Sequence, residues 1–141
     1  MTDTGSLRRI LTDYKRIAIV GLSDKKSRPS NTVGKYLLDH GFEVIPVNPN
    51  YDEVLGHICY PDLASIPTPV DIVNVFQRAE RVPPFVDDAI AIGAKVIWMQ
   101  LGIVHEEAAK KARDAGLEVV MDRCIKIEYA RLFGGPGNIL S

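Results

Sequence analysis

The segment Gly21-Leu22-Ser23-Asp24-Lys25-Lys26-Ser27-Arg28-Pro29-Ser30 joins one glycine, three serines and three cations directly behind a short apolar run. Gly21 permits close approach of another backbone or of a phosphate. Ser23, Ser27 and Ser30 can donate hydrogen bonds, and Lys25, Lys26 and Arg28 supply positive charge. A helix beginning after this loop directs its unpaired N–H groups into the same space. Together these groups describe a cradle for a phosphorylated ligand. The alternative is a solvated connection in which Ser30 or Asn31 caps the helix.

The loop lacks two common phosphate signatures. G-x-G-x-x-G requires glycines where Ser23 and Lys26 stand, and no G-K-[ST] closes a P-loop. Dinucleotide enzymes place an Asp or Glu near the end of their second strand to hold the ribose hydroxyls. The corresponding place holds Asn48 and Pro49. Without that carboxylate, a phosphate on the ribose meets no repulsion, which favours NADP or coenzyme A over NAD.

Three further segments end in polar or aromatic residues. Val75-Phe76-Gln77-Arg78 offers an aromatic to pack beside a base or an acyl arm and a cation to project into a crevice. The plainer account makes Phe76 core and Arg78 a surface charge. Trp98-Met99-Gln100-Leu101-Gly102 puts Gln100 and the Gly102 backbone at a strand end, with Trp98 in the core. Cys124 begins a helix after Asp122-Arg123, where it is either a buried structural thiol or a reactive one. His40 precedes the helix stop Gly41, His57 lies in a loop, and His105 starts a helix, where packing explains it more simply than catalysis. No nucleophile has a base beside it in sequence, and the His and acidic residues lack metal-ligand spacing.

The elements that must position these residues follow from apolar periodicity. A leading helix spans 1–14, with Leu7, Ile10, Leu11 and Tyr14 on one face. Five short apolar runs at 17–21, 43–47, 71–76, 95–99 and 117–121 read as strands buried on both faces. Helices are expected at 32–40, 82–92, 105–115 and 124–132, with Pro83 and Pro84 tolerated in a first turn. The prolines of 50–69 make that stretch mostly irregular, and 134–141 reads as a flexible tail. Alternation of strand and helix gives an α/β, Rossmann-like doubly wound parallel sheet with helices on both faces. The strand order expected is 3-2-1-4-5, with a switch point between strands 1 and 4. Ligands bind outside the carboxyl ends of such strands.

The 141 residues fit one domain, and 46% apolar with 25% charged residues suits a soluble globular fold. Seventeen basic and eighteen acidic residues give a net charge of −1 and no global field for nucleic acid or an anionic membrane. Two cysteines exclude a disulfide framework. No apolar run approaches a membrane span or a signal peptide, so a cytoplasmic location is expected.

The runs I-A-I-V-G-L-S, R-P-S, P-V-N-P, L-G, V-F-Q-R, W-M-Q-L-G-I and V-M-D-R-C-I-K-I-E occur in this order between about Ile17 and Leu132. The set resembles the small stand-alone CoA-binding domain proteins, which are similar to the N-terminal domain of the succinyl-CoA synthetase alpha subunit. The resemblance implies one CoA-binding domain over 1–141, with CoA or an acyl-CoA lying across the carboxyl edge of the sheet. It assigns Gly21, Leu22, Ser23, Arg28 and Ser30 to the phosphate loop, and the turn Pro46-Val47-Asn48-Pro49 to the border of the adenosine portion. Phe76 and Arg78 would lie along the cofactor, with Gln100 to Gly102 near its pantetheine end. The phosphorylated histidine of the synthetases lies in a second domain, so no counterpart of it is expected within these residues.

Three functions compete on the sequence. One is a CoA-binding module without complete chemistry, acting as carrier, sensor or regulator of a protein partner. The second is an NADP-dependent or acyl-CoA-transforming enzyme with an unidentified catalytic group. The third is an interaction protein without a ligand, against which the intact loop and Arg28 argue.

Overall fold

The computed structural model describes residues 3–134. The tail expected at 134–141 lies, beyond Gly134, outside the described residues, as do residues 1 and 2. Five parallel strands form the main sheet: β1 (Arg16–Val20), β2 (Glu43–Val47), β5 (Ile72–Val75), β6 (Val96–Met99) and β7 (Glu118–Val120). A separate hairpin pairs β3 (Glu53–Val54) with β4 (His57–Ile58). The helices are α1 (Thr4–Asp13), α2 (Pro29–Asp39), α3 (Val82–Ala91), α4 (Glu106–Asp114) and α5 (Ile125–Phe133).

Alternate residues of each strand serve opposite faces, so the apolar runs feed two cores. Ile17 and Ile19 join Leu7, Ile10 and Leu11 of α1, Val33 and Leu37 of α2, and Ile125 of α5. Ala18 and Val20 join Val82, Val86 and Ala89 of α3 and Ala108, Ala109 and Ala112 of α4. Helices thus cover both faces, which is the doubly wound Rossmann-like architecture the alternation predicts. Among the described residues no helix is long and apolar enough to cross a membrane.

The strand order differs from the expected 3-2-1-4-5. The sheet runs β2-β1-β5-β6-β7, or 2-1-3-4-5 when the five main strands are counted along the chain. The third of them, β5, lies against β1 rather than outside β2, and the switch point falls between β1 and β5. Pro46 supplies the physical reason. Val47 and Glu43 bond toward β1, so Pro46 between them faces away from it, and its carbonyl accepts from Tyr60 N–H at 3.0 Å. A strand outside β2 would need an N–H that proline lacks, so proline here marks an edge. The edge is closed by the single bridge of Val47 with Tyr60.

Two local expectations also shift. The 50–69 stretch contains the β3–β4 hairpin, whose turn residues Leu55 and Gly56 have φ of 55° and 78°. Two positive values are what a tight turn of matching twist requires, and Leu-Gly is a weak signal for it. The helix expected at 32–40 begins earlier, with Arg28 as its cap and Pro29 in its first turn. Ser30 and Asn31 are therefore inside the helix, and neither is its cap.

Candidate functional site

Two cavities meet at the carboxyl edge of the sheet, and Pro29 and Phe76 line both. The first, about 340 Å³, is walled by Gly21, Ser23, Lys25, Arg28, Ser30 and Tyr51 besides those two. Its polar groups are already arranged. Ser23 N–H donates to Ser30 Oγ at 3.0 Å, and Lys25 N–H donates to Ser23 Oγ at 3.1 Å. Asn31 Nδ2 donates to the Ser23 carbonyl at 2.8 Å. Each hydroxyl thus spends acceptor capacity on a backbone N–H and keeps its hydrogen to donate. Ser30 is 5% exposed, so its position is fixed by packing. Lys25 and Arg28 are exposed and carry no ion pair among the described residues, and no carboxylate lines the cavity. Hydroxyl hydrogens, two free cations and the N-terminal end of α2 converge on one space, which is a donor set for an anion.

Gly21 makes the crossing at the switch point possible. Its φ is +87°, and a Cβ there would sit 2.4 Å from the Phe76 carbonyl oxygen. The structure shows one of the two close approaches that glycine permits, that of another backbone, and Gly21 also lines the first cavity. Gly21 lets the chain leaving β1 pass the chain leaving β5 at the switch point.

The second cavity, about 540 Å³, has a mostly apolar wall that includes Val33, Phe76, Leu101, Ile103 and Ile127. Gln77, Arg78, Gln100 and Cys124 are its polar or thiol members. Gln100 is 3% exposed, and its Oε1 accepts from Ile125 N–H, the first helical residue of α5, at 3.0 Å. Leu101 and Ile127, at 64% and 53% exposed, form an open apolar rim.

The remaining sequence candidates have structural duties. Leu22 is fully buried in one core and Val47 almost fully in the other; each presents only backbone at this edge. Asn48 is a local organiser: its Nδ2 donates to the Leu22 carbonyl at 3.1 Å, and its Oδ1 accepts from Asn50 N–H. Pro49 is exposed beside it and lines neither cavity. Gly102 also lines neither, and its N–H donates to Asp122 Oδ1 at 2.6 Å. His105 caps α4 by accepting from Ala108 N–H, and His40 stacks on Tyr36 with centroids 3.9 Å apart. Trp98 is fully buried, its Nε1 donating to the Arg123 carbonyl.

Tyr51, Gln77, Ile103 and Ile127 are cavity residues that sequence reasoning missed. Tyr51 carried a readable signal, an aromatic three residues past the Asn48 turn. Ile127 did not, because its place at this edge depends on where α5 starts. Among the described residues no group of three or more His, Cys, Asp and Glu side chains is placed to hold a metal ion.

A Rossmann-like sheet with a donor-lined cavity and an adjoining apolar cavity at its switch point has the architecture of nucleotide-binding domains. The sequence model of the CoA binding domain matches residues 15–130, and the chain belongs to that family. It is 45% identical over 124 residues to uncharacterized protein YneT of Bacillus subtilis, covering 88% of this chain and 92% of that one. It is 29% identical over 121 residues to ADP-forming acetate–CoA ligase I of Archaeoglobus fulgidus, covering 79% of this chain and 18% of the ligase. A hypothetical protein from Pyrococcus horikoshii superposes with a TM-score of 0.92 at 47% identity, covering 94% of each chain.

Proposed function

We propose that this protein binds coenzyme A, or an acyl-CoA, along the carboxyl edge of the sheet as a carrier, sensor or regulatory module. The observation that carries the reading is the pairing of the two cavities across Phe76 and Pro29. CoA has the same division, a polyanionic nucleotide joined to a long, weakly polar arm ending in a thiol. Ser23, Ser30, Lys25 and Arg28 hold the pyrophosphate and the ribose phosphate. Tyr51 and the Asn48–Pro49 turn flank the adenosine. Phe76 separates nucleotide from arm, and the pantetheine lies over Val33, Gln100, Ile103 and Ile127. CoA would bring a terminal thiol to this edge, where acyl groups are carried.

Binding rather than turnover is the reading favoured by the side chains. Among the described residues neither cavity is lined by histidine, aspartate or glutamate, so none of them offers an acid–base pair to the ligand space. Membership of the CoA binding domain family and this donor set favour CoA over NAD, because Asn48 stands where NAD-binding proteins carry the carboxylate that holds the ribose hydroxyls.

The test is thermal unfolding with CoA and with NAD at equal concentration. A ligand at a hundred times its Kd stabilises by about 2.7 kcal/mol. CoA is expected to raise the midpoint and NAD to leave it unmoved. An equal shift with both, or none with CoA, overturns the reading.

A further inference from the structure

The turn after β6 carries an apolar side chain that the fold itself does not use. Ile103 N–H donates to the Gln100 carbonyl at 2.9 Å, and Gly102 has a φ of 83°, the sign a type II turn requires at its third residue. Turns of this kind favour proline and polar residues. Here the tip is Leu101, which is exposed, belongs to neither core and lines the second cavity. The turn is nevertheless tied to the chain between β7 and α5 on both sides of Leu101. Asp122 Oδ1 accepts from Gly102 N–H at 2.6 Å, and Asp122 N–H donates to the Ile103 carbonyl at 3.2 Å. On the other side, Gln100 Oε1 accepts from Ile125 N–H. Asp122 makes its two bonds from a φ of 58°, a region that Asp and Asn enter more readily than most residues with a side chain.

A large apolar side chain outside both cores, on a turn held from both sides, is a preset contact for whatever fills the cavity it lines. Holding the turn in advance removes an ordering cost from binding. We infer that Asp122 is a positioning residue for the second cavity: by holding the 100–103 turn, it fixes Leu101 against the apolar arm of the ligand. This rests on the CoA reading and deepens it, because it names a contact of the arm and the residue that presets that contact. Asp122 itself does not line the second cavity and acts through Leu101. Its part in the clasp is an acceptor oxygen on a residue of positive φ. Asn supplies both features, whereas Gly supplies only the backbone conformation.

The experiment is calorimetric titration of the full chain and its variants with CoA and with adenosine 3′,5′-bisphosphate, which keeps the nucleotide and lacks the arm. Asp122→Gly keeps the positive φ and loses the acceptor, and is expected to weaken CoA about fivefold, the ordering cost of one loop side chain. Leu101→Ala is expected to weaken CoA by a similar factor. The double variant is expected to lose no more than either single one, because both substitutions remove the same contact. Asp122→Asn is expected to bind CoA as the wild type does. The bisphosphate is expected to bind every variant with wild-type affinity, which also shows that each is folded. Equal losses for the two ligands, additive losses in the double variant, failure of Asn to restore binding, or unchanged CoA affinity in Asp122→Gly overturn the inference. If the wild-type chain binds CoA in those cases, the positioning role falls and CoA binding stands; if the wild-type chain does not bind CoA, both fall.

Discussion

The two cavities share Phe76 and Pro29 but are lined by different chemistry. The first is built within one stretch of chain, residues 21–30 with Tyr51 added from the turn after β2. Its donors are pre-set by short-range bonds such as Ser23 N–H to Ser30 Oγ. The second is assembled from α2, α5 and the loops after β5 and β6, which meet only through the fold. It offers mostly apolar contact, with the Gln77 and Gln100 amides, the Arg78 guanidinium and one thiol. On the proposed reading, charge and hydrogen bonding in the first cavity and mainly desolvation in the second divide the work of holding an amphipathic ligand.

The contrast can be broken by substitution, and the largest effect falls on the hinge between the halves. Gly21→Ala places a Cβ against the Phe76 carbonyl at a positive φ. The conformational strain and the overpacking together are expected to cost roughly 2–5 kcal/mol. Chemical denaturation reads this directly, and an undiminished midpoint would contradict the tight crossing at the switch point.

The next effect separates the cavities by ligand fragment. Arg28→Ala is expected to weaken CoA by roughly tenfold, one charge-assisted contact, and dephospho-CoA by less if the guanidinium meets the ribose phosphate. Equal losses in calorimetric titrations would move Arg28 to the pyrophosphate. Ile127→Asp, on the apolar rim, is expected to weaken CoA several-fold by solvating the arm's pocket. It should leave adenosine 3′,5′-bisphosphate unaffected. A loss for the bisphosphate as large as that for CoA would show that the halves do not act separately.

The smallest effect lies away from both cavities and serves as a control. Asp3 caps α1 by accepting from Ser6 N–H at 2.7 Å, and this bond holds its carboxyl below the usual 3.8. A lowered folded value contributes stability above the unfolded value, and that contribution is lost as pH falls through the folded one. The wild-type chain should therefore lose slightly more stability than Asp3→Asn on acidification below about pH 4. Parallel pH profiles of the two unfolding midpoints would remove the cap from the account.

Legibility followed the same divide as the cavities. Strands were readable because Ile17 to Val20 and Ile72 to Val75 are continuous apolar runs with abrupt ends. The cradle was readable because its residues are neighbours in sequence. Strand order was not read, although Pro46 carried the signal for an edge, since a proline matters to a sheet only through the strand it refuses. The second cavity was read only in part. Phe76, Arg78 and Gln100 stand at strand ends, where the fold class directs attention. Ile127 and the Gln100–Ile125 bond join parts of the chain that periodicity cannot relate. Gly102 looked available at a strand end, but its N–H is taken by Asp122, twenty residues on.

A crystal structure grown with saturating CoA tests the central claim most directly. The diphosphate is expected against Ser23, Ser30 and Arg28, with the chain of the ligand passing Phe76 and the sulfur in the second cavity. CoA bound elsewhere on the surface, or both cavities vacant at saturation, would contradict it.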